Sequence, residues 1–464
     1  MAIINAIMVP HPPLILPQVG RGEEKGIQAT VDAYRRACRF VAEAGPDVLA
    51  VTTPHSVAYA DWFHISPGPG ASGSFGQFRA PEVRVDAEYD TALVDELCRL
   101  ARKEDLPAGT AGEKSAALDH ATMIPLYFLK EAYGDAPLPP IVRIGLSGLP
   151  LTEHYRLGML LREAAERLGR RVSVVASGDL SHRLTREGPY GFAAEGPDYD
   201  ARIMDVMGRA AFGELFAFSD ALCSRAGECG HRSFTIMAGC FDGQAVTGRA
   251  LSHEGPFGVG YGVCLFTPGD LDASRRFLAA AQAGEQARLA ARRAGEDACV
   301  RLVRLSVETY VTTRRRAALP ADVPAELTAR RAGVFTTLHK NGQLRGCIGT
   351  TEPTTDNVAL EILQNGVSAC SRDPRFPPVT AEELPLLEYS VDVLTSPEEI
   401  GSPAQLDVRR YGVIVSCGGR RGLLLPDLDG VDTVAEQVAI ARRKGGIGPD
   451  EPVRLQRFEV IRHV

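Results

Sequence analysis

The sequence lacks any Cys-x-x-Cys pair, although it contains ten cysteines. Structural zinc sites and small disulfide frameworks usually show such close spacing, so neither is indicated. Scattered cysteines of this kind are typical of reduced thiols inside a cell. We therefore expect a cytoplasmic protein whose fold does not depend on disulfide bonds.

Long apolar runs and an excess of positive charge are also missing. No stretch approaches the roughly 20 apolar residues of a membrane span, and Pro10, Pro12 and Pro13 interrupt the N-terminal segment before it takes signal-peptide form. The formal net charge of −7 argues against a nucleic-acid-binding surface, which is usually basic. The sequence thus predicts neither membrane nor nucleic-acid partners.

What the sequence does contain is enough apolar material for two domains. The 464 residues, 45% of them hydrophobic, exceed the size of one common domain. Between residues 271 and 316 the composition shifts to Ala, Arg and Glu, which indicates helix with breaks near Gly284 and Gly295. We predict an N-terminal domain at residues 1–268, a helical linker at 269–290 and a second domain at 291–464.

The N-terminal domain alternates short apolar runs with helical stretches, which predicts an α/β fold with a central sheet flanked by helices. The Gly-, Pro- and Ser-rich segment 67–76 is predicted to be a surface loop. The predicted strands are residues 3–9, 48–53, 141–147, 172–177 and 258–266.

Three of the predicted strands run into a histidine, namely His11, His55 and His182. In open α/β sheets, ligands bind outside the carboxyl ends of the strands, where residues far apart in sequence meet. Imidazole is the commonest metal ligand and a good base near neutral pH. A lone histidine would be read as a loop residue, but three equivalent positions predict a metal site around His11 and His55.

A two-histidine iron site also needs a carboxylate. The best source is the Gly-flanked loop before the apolar helical run 234–240, where Glu228 and Cys229 are adjacent. Glu228 is the predicted third ligand, for Fe(II) or Mn(II), and Cys229 is its rival, since a thiolate suits a softer, zinc-like metal. Alternatively, Glu228 is a first-turn acid favoured by the helix dipole.

The remaining histidines give weaker signals. His120 follows Asp119, which can cap a helix, and would point from the first helical turn toward the same cleft. Two others, His231 and His253, are not assigned a role although they could line a pocket. The histidines interpreted as structural are His64, His154 and His463.

The second domain begins with a predicted hairpin, because Asn341-Gly342 separates strand-like residues 333–339 and 344–350. This pattern predicts an α+β domain. Arg345 and Cys347 lie two residues apart and so share one face of a strand. A guanidinium near a thiol favours the thiolate, which makes the two residues a candidate reactive or ligand-binding pair. The alternative is a small buried thiol.

Four motifs of the N-terminal half together resemble the class III extradiol dioxygenases of LigB type and their Memo relatives: PHPPLI at 10–15, TPHSV at 53–57, DHATMIPL at 119–126 and SGDLSHRL at 177–184. The resemblance implies that His11, His55 and Glu228 bind iron. It further implies that His182 is the acid/base histidine and that His120 contacts substrate or the oxygen intermediate. The Memo branch has a cysteine near the Glu228 position, which keeps Cys229 open as the ligand.

The second half resembles the AMMECR family through LRGCIGT at 344–350, together with segments 368–376 and 388–394. This family has no settled reaction to transfer, so Arg345 and Cys347 stay candidates. A Memo-like half fused to an AMMECR-like half resembles the bacterial AmmeMemoRadiSam grouping, which implies a radical-SAM enzyme as a partner protein.

Three functions follow as hypotheses. The first is a non-heme Fe(II)-dependent extradiol ring-cleavage dioxygenase that acts with O2 on a catecholic or related aromatic substrate. The second is an enzyme of the same architecture that uses Fe(II), Mn(II) or Zn(II) only as a Lewis acid. The third is a metal-binding, Memo-like partner of a radical-SAM system. A homo-oligomer is compatible with all three.

Overall fold

The computed structural model describes residues 2–340, 342–428 and 430–464. The chain divides into two compact units, one ending at Gly284 and the other running from Glu285 to Val464. Each unit has hydrophobic core clusters of its own. No helix in the described part of the chain is both long enough and apolar enough to cross a membrane.

The N-terminal unit is built on a mixed sheet, as the sequence predicts for an α/β domain. Its strands are β1 (Ile3–Val9), β2 (Val48–Thr53), β3 (Phe63–His64), β4 (Gly70–Phe75), β5 (Ala80–Glu88), β6 (Ala108–Gly109), β7 (Ile141–Gly145), β8 (Val172–Ser177), β9 (Gln244–Glu254) and β10 (Tyr261–Leu271). Six of them form the central sheet in the order β7-β2-β8-β1-β10-β9. The first four of that order are mutually parallel, and β10 and β9 are added antiparallel.

Helices cover both faces of this sheet. They are α1 (Pro17–Gly20), α2 (Gln28–Ala44), α3 (Thr91–Lys103), α4 (His120–Tyr133), α5 (Leu151–Leu168), α6 (Glu195–Gly208), α7 (Asp220–Ala226) and α8 (His231–Gly239). Alternate residues of β1 enter different cores, with Ala6 and Met8 on one face and Ile7 and Val9 on the other. Strands buried on both faces must be apolar throughout, which explains why the central strands could be predicted.

The structure of the N-terminal unit differs from the sequence prediction at one loop and at one strand. Segment 67–76, predicted as a surface loop, contains β4, which pairs antiparallel with β5. Its small residues reflect close packing, because a Cβ on Gly73 would lie 2.7 Å from the carbonyl oxygen of Leu118. The edge strand β9 was not predicted, since its residues are only partly buried and carry little apolar signal.

The predicted helical linker at 269–290 differs from the structure at both ends. Strand β10 continues to Leu271, and helix α9 spans Phe277–Gly295. The helix ends at Gly295, as expected, but it runs through Gly284. A Cβ at Gly284 would meet nothing within 4 Å, so this glycine only lowers helix propensity, by about 1 kcal/mol.

The second unit is an α+β domain, as predicted. Its helices are α10 (Ala298–Thr313), α11 (Ala325–Ala329), α12 (Val358–Ser371) and α13 (Val434–Lys444). Its strands are β11 (Val334–Lys340), β12 (Gln343–Thr350), β13 (Leu387–Leu394), β14 (Glu398–Ile400), β15 (Gly412–Cys417), β16 (Arg420–Leu424), β17 (Arg454–Phe458) and β18 (Val460–His463). They form two four-stranded sheets, in the orders β12-β11-β13-β18 and β14-β17-β15-β16.

The predicted hairpin is confirmed, because β11 and β12 pair antiparallel up to Lys340 opposite Gln343. Gly342 has φ of 76°, the left-handed conformation that such a turn requires. Asn341, the other predicted turn residue, lies outside the described residues.

Candidate metal centre

His11 lies just past the carboxyl end of β1 and is fully enclosed. Its Nδ1 lies 3.0 Å from Oγ of Ser177, and that hydroxyl donates its own hydrogen to the carbonyl of Ala121 at 2.7 Å. A hydroxyl has one hydrogen, so Ser177 must accept from Nδ1–H of His11. The tautomer is therefore fixed, and the lone pair of Nε2 is free to bind a cation.

His55, past the carboxyl end of β2, presents Nε2 to the same position. The Nε2 atoms of His55 and His11 are 3.1 Å apart. The backbone N–H of His55 donates to Oγ1 of Thr53 at 3.2 Å, which holds the turn after the strand. The structure thus brings together the two histidines that the sequence predicts as ligands.

His120 joins this pair from the first turn of α4. Asp119 caps the helix by accepting a hydrogen bond from the N–H of Thr122 at 3.0 Å. The His120 ring stacks on His55 with 4.4 Å between centroids. Ligand nitrogens of His11, His55 and His120 all lie within 4.8 Å of one another.

The loop before α8 contributes Cys229 and not Glu228. Sγ of Cys229 is 3.5 Å from Nε2 of His11 and belongs to a cluster with His11 and Asp179 whose ligand atoms lie within 4.8 Å. The carboxylate of Glu228 instead accepts a hydrogen bond from the N–H of His231 at 2.6 Å, at the N-terminus of α8. Among the described residues, no such cluster includes Glu228. Its position matches the alternative interpretation, a helix-terminal acid.

Asp179, which the sequence analysis did not assign, is part of the site. Its Oδ1 accepts a hydrogen bond from the backbone N–H of His11 at 2.7 Å, and its own N–H donates to Sγ of Cys229 at 3.3 Å. Asp179 therefore connects the two chain segments that carry these residues. It lies inside the SGDLSHRL motif, where an acidic residue two positions after a buried strand is the available signal.

His182 lies three residues beyond Asp179. Its backbone N–H donates to the carbonyl of Ala226 at 3.1 Å, which ties it to the loop of Cys229. Its Nε2 is buried and has no partner among the described residues. The ring packs beside the exposed Tyr190, with 5.1 Å between centroids. A buried ring nitrogen without a partner is suited to bind a group that enters the site.

Burial and mutual proximity keep these imidazoles neutral. Burial, followed by the neighbouring His55, lowers the pKa of His120 and of His182 to about 4. Burial also lowers the pKa of His55, and it lowers that of His11 well below its ordinary value, with the other three histidines adding to the effect. All four are therefore uncharged near neutral pH, with lone pairs available for a metal or a proton.

The acidic groups beside them shift in the opposite direction for the same reason. Burial raises the pKa of Asp179 to about 7, and the N–H of His11 partly opposes this. Burial, together with Asp179, raises the pKa of the Cys229 thiol well above its ordinary value. A site that disfavours both anions in this way gains stability when a cation binds and compensates them.

The donor set fits a metal ion. Two imidazole nitrogens that each bind one ion at about 2.1 Å are roughly 3.0–3.4 Å apart when the nitrogen–metal–nitrogen angle lies between the octahedral and the tetrahedral value. The Nε2 atoms of His11 and His55 are 3.1 Å apart. Thiolates bind zinc at about 2.3 Å, which agrees with the 3.5 Å between Sγ of Cys229 and Nε2 of His11. Among the described residues, His11 is common to two clusters of ligand atoms, one with His55 and His120 and the other with Asp179 and Cys229.

The other histidines are placed as follows. His154 is enclosed and lies against the carbonyl of Pro150 at 3.1 Å. His463 pairs with Asp297 in the second unit. His231 lies between Tyr199 and the carbonyl of Leu215. His154 thus contacts a residue four positions earlier, His463 joins β18 to the N-cap of α10, and His231 joins α6 to the segment before α7.

In the second unit, Arg345 and Cys347 lie on β12, but their side chains have separate partners. Nε and Nη2 of Arg345 each donate to the carboxylate of Glu383 at 2.9 Å. Sγ of Cys347 accepts from Oγ1 of Thr337 at 3.3 Å. The guanidinium that was expected to favour the thiolate is therefore already paired.

Two family models match this chain. The model described as the catalytic LigB subunit of aromatic ring-opening dioxygenase matches residues 5–264. The AMMECR1 model matches residues 300–463. The first match includes the metal-centre residues described above, and the second includes Arg345 and Cys347.

Individual proteins are similar over all or part of the chain. Protein CA_C1420 of Clostridium acetobutylicum is 37% identical over 100% of this chain and 99% of its own length. A protein of Thermotoga maritima is 49% identical over 36% of this chain and 98% of its own. The crystal structure of the uncharacterized protein PH0010 from Pyrococcus horikoshii is 34% identical, covers 35% of this chain and 88% of its own, and has a TM-score of 0.33.

Proposed function

This chain belongs to the LigB family through residues 5–264 and carries an AMMECR1 domain at residues 300–463, and from this membership we propose that it is a non-heme, Fe(II)-dependent extradiol-type dioxygenase. Its substrate would be a catecholic or related aromatic compound, with O2 as the second substrate. The observation that carries the proposal is the meeting of His11 and His55 at the carboxyl ends of β1 and β2. On the neighbouring loop, the buried Nε2 of His182 has no partner in the described part of the chain.

We propose that His11, His55 and Cys229 hold the ion. The histidine pair is common to oxygenase sites of the two-histidine, one-carboxylate type, and Cys229 takes the place of the carboxylate. Fe(II) bound here would supply Lewis acidity toward the two oxygens of a diol and reactivity toward O2. Asp179 would fix the positions of both residues, because its carboxylate accepts from the N–H of His11 and its own N–H donates to Sγ of Cys229.

The chain's own proton acceptor would be His182. Its neutral Nε2 can take a proton from a substrate hydroxyl, and a positioned base of this kind commonly contributes about 10²- to 10⁴-fold. His120 stacks on His55 and would donate a hydrogen bond to the oxygen atoms that gain charge. Both rings are half-buried, which limits the access of competing water to these contacts.

The test is anaerobic reconstitution of the full chain with Fe(II), followed by a screen of catechols for O2 uptake and for the yellow ring-fission product. We expect uptake that depends on both Fe(II) and diol, with one O2 consumed per ring opened. Absence of uptake with every diol, in protein shown to contain iron, would overturn the proposal.

A second candidate is a metal-dependent hydrolase or lyase that does not use O2. The observation that favours it is Cys229 at 3.5 Å from His11, since thiolate ligands are common in zinc sites. Zn(II) or Mn(II) would then act only as a Lewis acid. Turnover of a substrate under strictly anaerobic conditions with Zn(II)-loaded protein would support this candidate and argue against the oxygenase.

A further inference from the structure

A buried arginine with unused donors lies beside the metal centre. Arg143, on β7, donates from Nη2 to Oδ2 of Asp119 at 2.9 Å, and its side chain is only 3% exposed. Its Nε and Nη1 are also buried, yet neither has a partner among the described residues. Leaving buried N–H groups of a charged side chain unpaired is costly, so a partner for them is expected.

Other buried polar groups in the same part of the fold also have no hydrogen-bond partner within residues 2–340, 342–428 and 430–464. They share the feature that each offers at least one hydrogen-bond donor. They are Oγ of Ser56, Nε1 of Trp62 and both ring nitrogens of His64.

The backbone places these groups on one side of β7. Arg143 and Gly145 are two residues apart and therefore share a face of the strand. A Cβ on Gly145 would lie 2.6 Å from Oγ of Ser56, so Ser56 sits over that face. The Arg143 charge also contributes to lowering the pKa of His64, after burial, which agrees with their proximity.

Trp62 lies directly before β3. Trp62 and His64 are two residues apart, and His64 is the register partner of Gly109. A Cβ on Gly109 would lie 2.9 Å from Cζ2 of Trp62, so the indole covers this end of the β3–β6 pair. The cluster of Arg143, Ser56, Trp62 and His64 is hereafter the donor cluster.

The donor cluster offers many donors and few acceptors. Arginine and the indole N–H cannot accept a hydrogen bond at all. An oxyanion supplies several acceptor lone pairs at once and is the chemical complement of such a set. We propose that the donor cluster is a binding site for the oxyanion group, carboxylate or phosphate, of a small ligand.

The ligand could reach the cluster from outside. Residues 55–62, the segment that carries Ser56 and Trp62, have no helix and are half-buried or exposed throughout. Asp119 is shared between the two sites, because it accepts from Arg143 and also from Oγ1 of Thr53 at 2.7 Å, next to His55. The proposal goes beyond the dioxygenase proposal and needs no metal.

The experiment uses the intact chain after removal of metal by a chelator. Trp62 is the sole tryptophan of the sequence, so its fluorescence reports directly on the donor cluster. Sodium phosphate and sodium acetate are titrated at constant ionic strength, with chloride as the reference anion. We expect a saturable change in Trp62 emission with at least one oxyanion. If neither oxyanion changes the Trp62 emission of the wild-type protein more than chloride does, the proposal is wrong. Water would then be the hydrogen-bond partner of the donor cluster.

Two variants identify the donors. Arg143→Lys keeps a cation beside Asp119 but removes Nε and Nη1, and Ser56→Ala removes one hydroxyl without touching that ion pair. Each lost hydrogen bond to an anion should weaken binding by roughly tenfold or more. Arg162→Lys, at an arginine that binds the carbonyl of Asp242, is the matched control and should bind as the wild type does. If Arg143→Lys fails to fold, Ser56→Ala still decides. Unchanged affinity in Ser56→Ala and in any folded Arg143→Lys would refute the site.

Discussion

Sγ of Cys229 faces Nε2 of His11 at 3.5 Å, while the carboxylate of its neighbour Glu228 points into the N-terminus of α8. Two adjacent residues thus have opposite roles. Cys229 is placed to bind a cation together with His11 and Asp179, and Glu228 satisfies a backbone N–H group that the helix leaves open. This division is the reason why we propose a thiolate, and not a carboxylate, as the third ligand.

Substitution of Cys229 should therefore weaken metal binding far more than substitution of Glu228. In Cys229→Ala we expect metal affinity to fall by more than about 100-fold, because a ligand itself is lost. Loss of a residue that only hydrogen-bonds to a ligand typically lowers metal affinity by about 10- to 100-fold. Glu228→Gln should keep the metal and lose a little stability. Both variants are measured by metal content after dialysis against a competing chelator. The opposite pattern would restore Glu228 as the ligand.

His182→Ala should separate metal binding from catalysis. Nε2 of His182 has no partner among the described residues, so its removal breaks no contact with His11 or His55. We expect full metal content and a fall in turnover of about 10²-fold or more. Loss of metal in this variant, measured by elemental analysis, would instead make His182 a ligand. His11→Ala serves as the reference that loses the ion.

Much of the N-terminal fold could be predicted because its strands are buried on both faces. Three predicted strands, residues 3–9, 48–53 and 172–177, agree with β1, β2 and β8 to the residue. The edge strand β9 was missed because half-exposed strands mix polar and apolar residues. The small residues of β4 were misread because sequence cannot show that α4 approaches them closely.

The sequence predicts those site residues that closely follow the strands of the parallel sheet. His11 follows β1 and His55 follows β2, two parallel strands on either side of β8, so their carboxyl ends lie at the same edge of the sheet. The choice between Glu228 and Cys229 depends on the rotation of one loop, and local sequence carries no signal for it. Asp119 and Arg143 were likewise not recognised as a buried ion pair, because they come from separate elements.

Asp119 should matter more for stability than an ordinary helix cap. Asp119 and Asp90 both cap helices and both pair with an arginine, but Arg143 is 3% exposed and Arg170 is 43% exposed. Asp119→Ala should cost about 3–5 kcal/mol, because it leaves a buried charge unpaired. Asp90→Ala, the matched control, should cost about 1–2 kcal/mol.

Urea unfolding followed through Trp62 measures both variants, since that tryptophan lies in the N-terminal unit. Equal losses in the two variants would show that the buried pair with Arg143 adds nothing beyond capping.

Glu383 should make the second unit sensitive to acid. Its carboxylate accepts hydrogen bonds from Arg345 at 2.9 Å and from Lys340 at 3.0 Å. Burial alone would raise the pKa of Glu383, but these partners and the N–H of Thr380 lower it to about 2, from 4.5. Because the folded-state pKa lies below the unfolded value, the stabilisation is complete above pH 4.5 and is lost as the pH falls toward 2.

Hydrogen exchange of peptides that cover β12, corrected for intrinsic rates, should therefore show a steep loss of protection between pH 4.5 and pH 2. In Glu383→Gln we expect lower protection at pH 6, by about 2–3 kcal/mol, and a flatter pH profile, because the charge-assisted hydrogen bonds are gone. Glu398→Gln is the control, since Glu398 pairs with Arg457 while 67% exposed and should contribute little. A pH profile of Glu383→Gln that matches the wild type would mean that another group causes the acid sensitivity of β12.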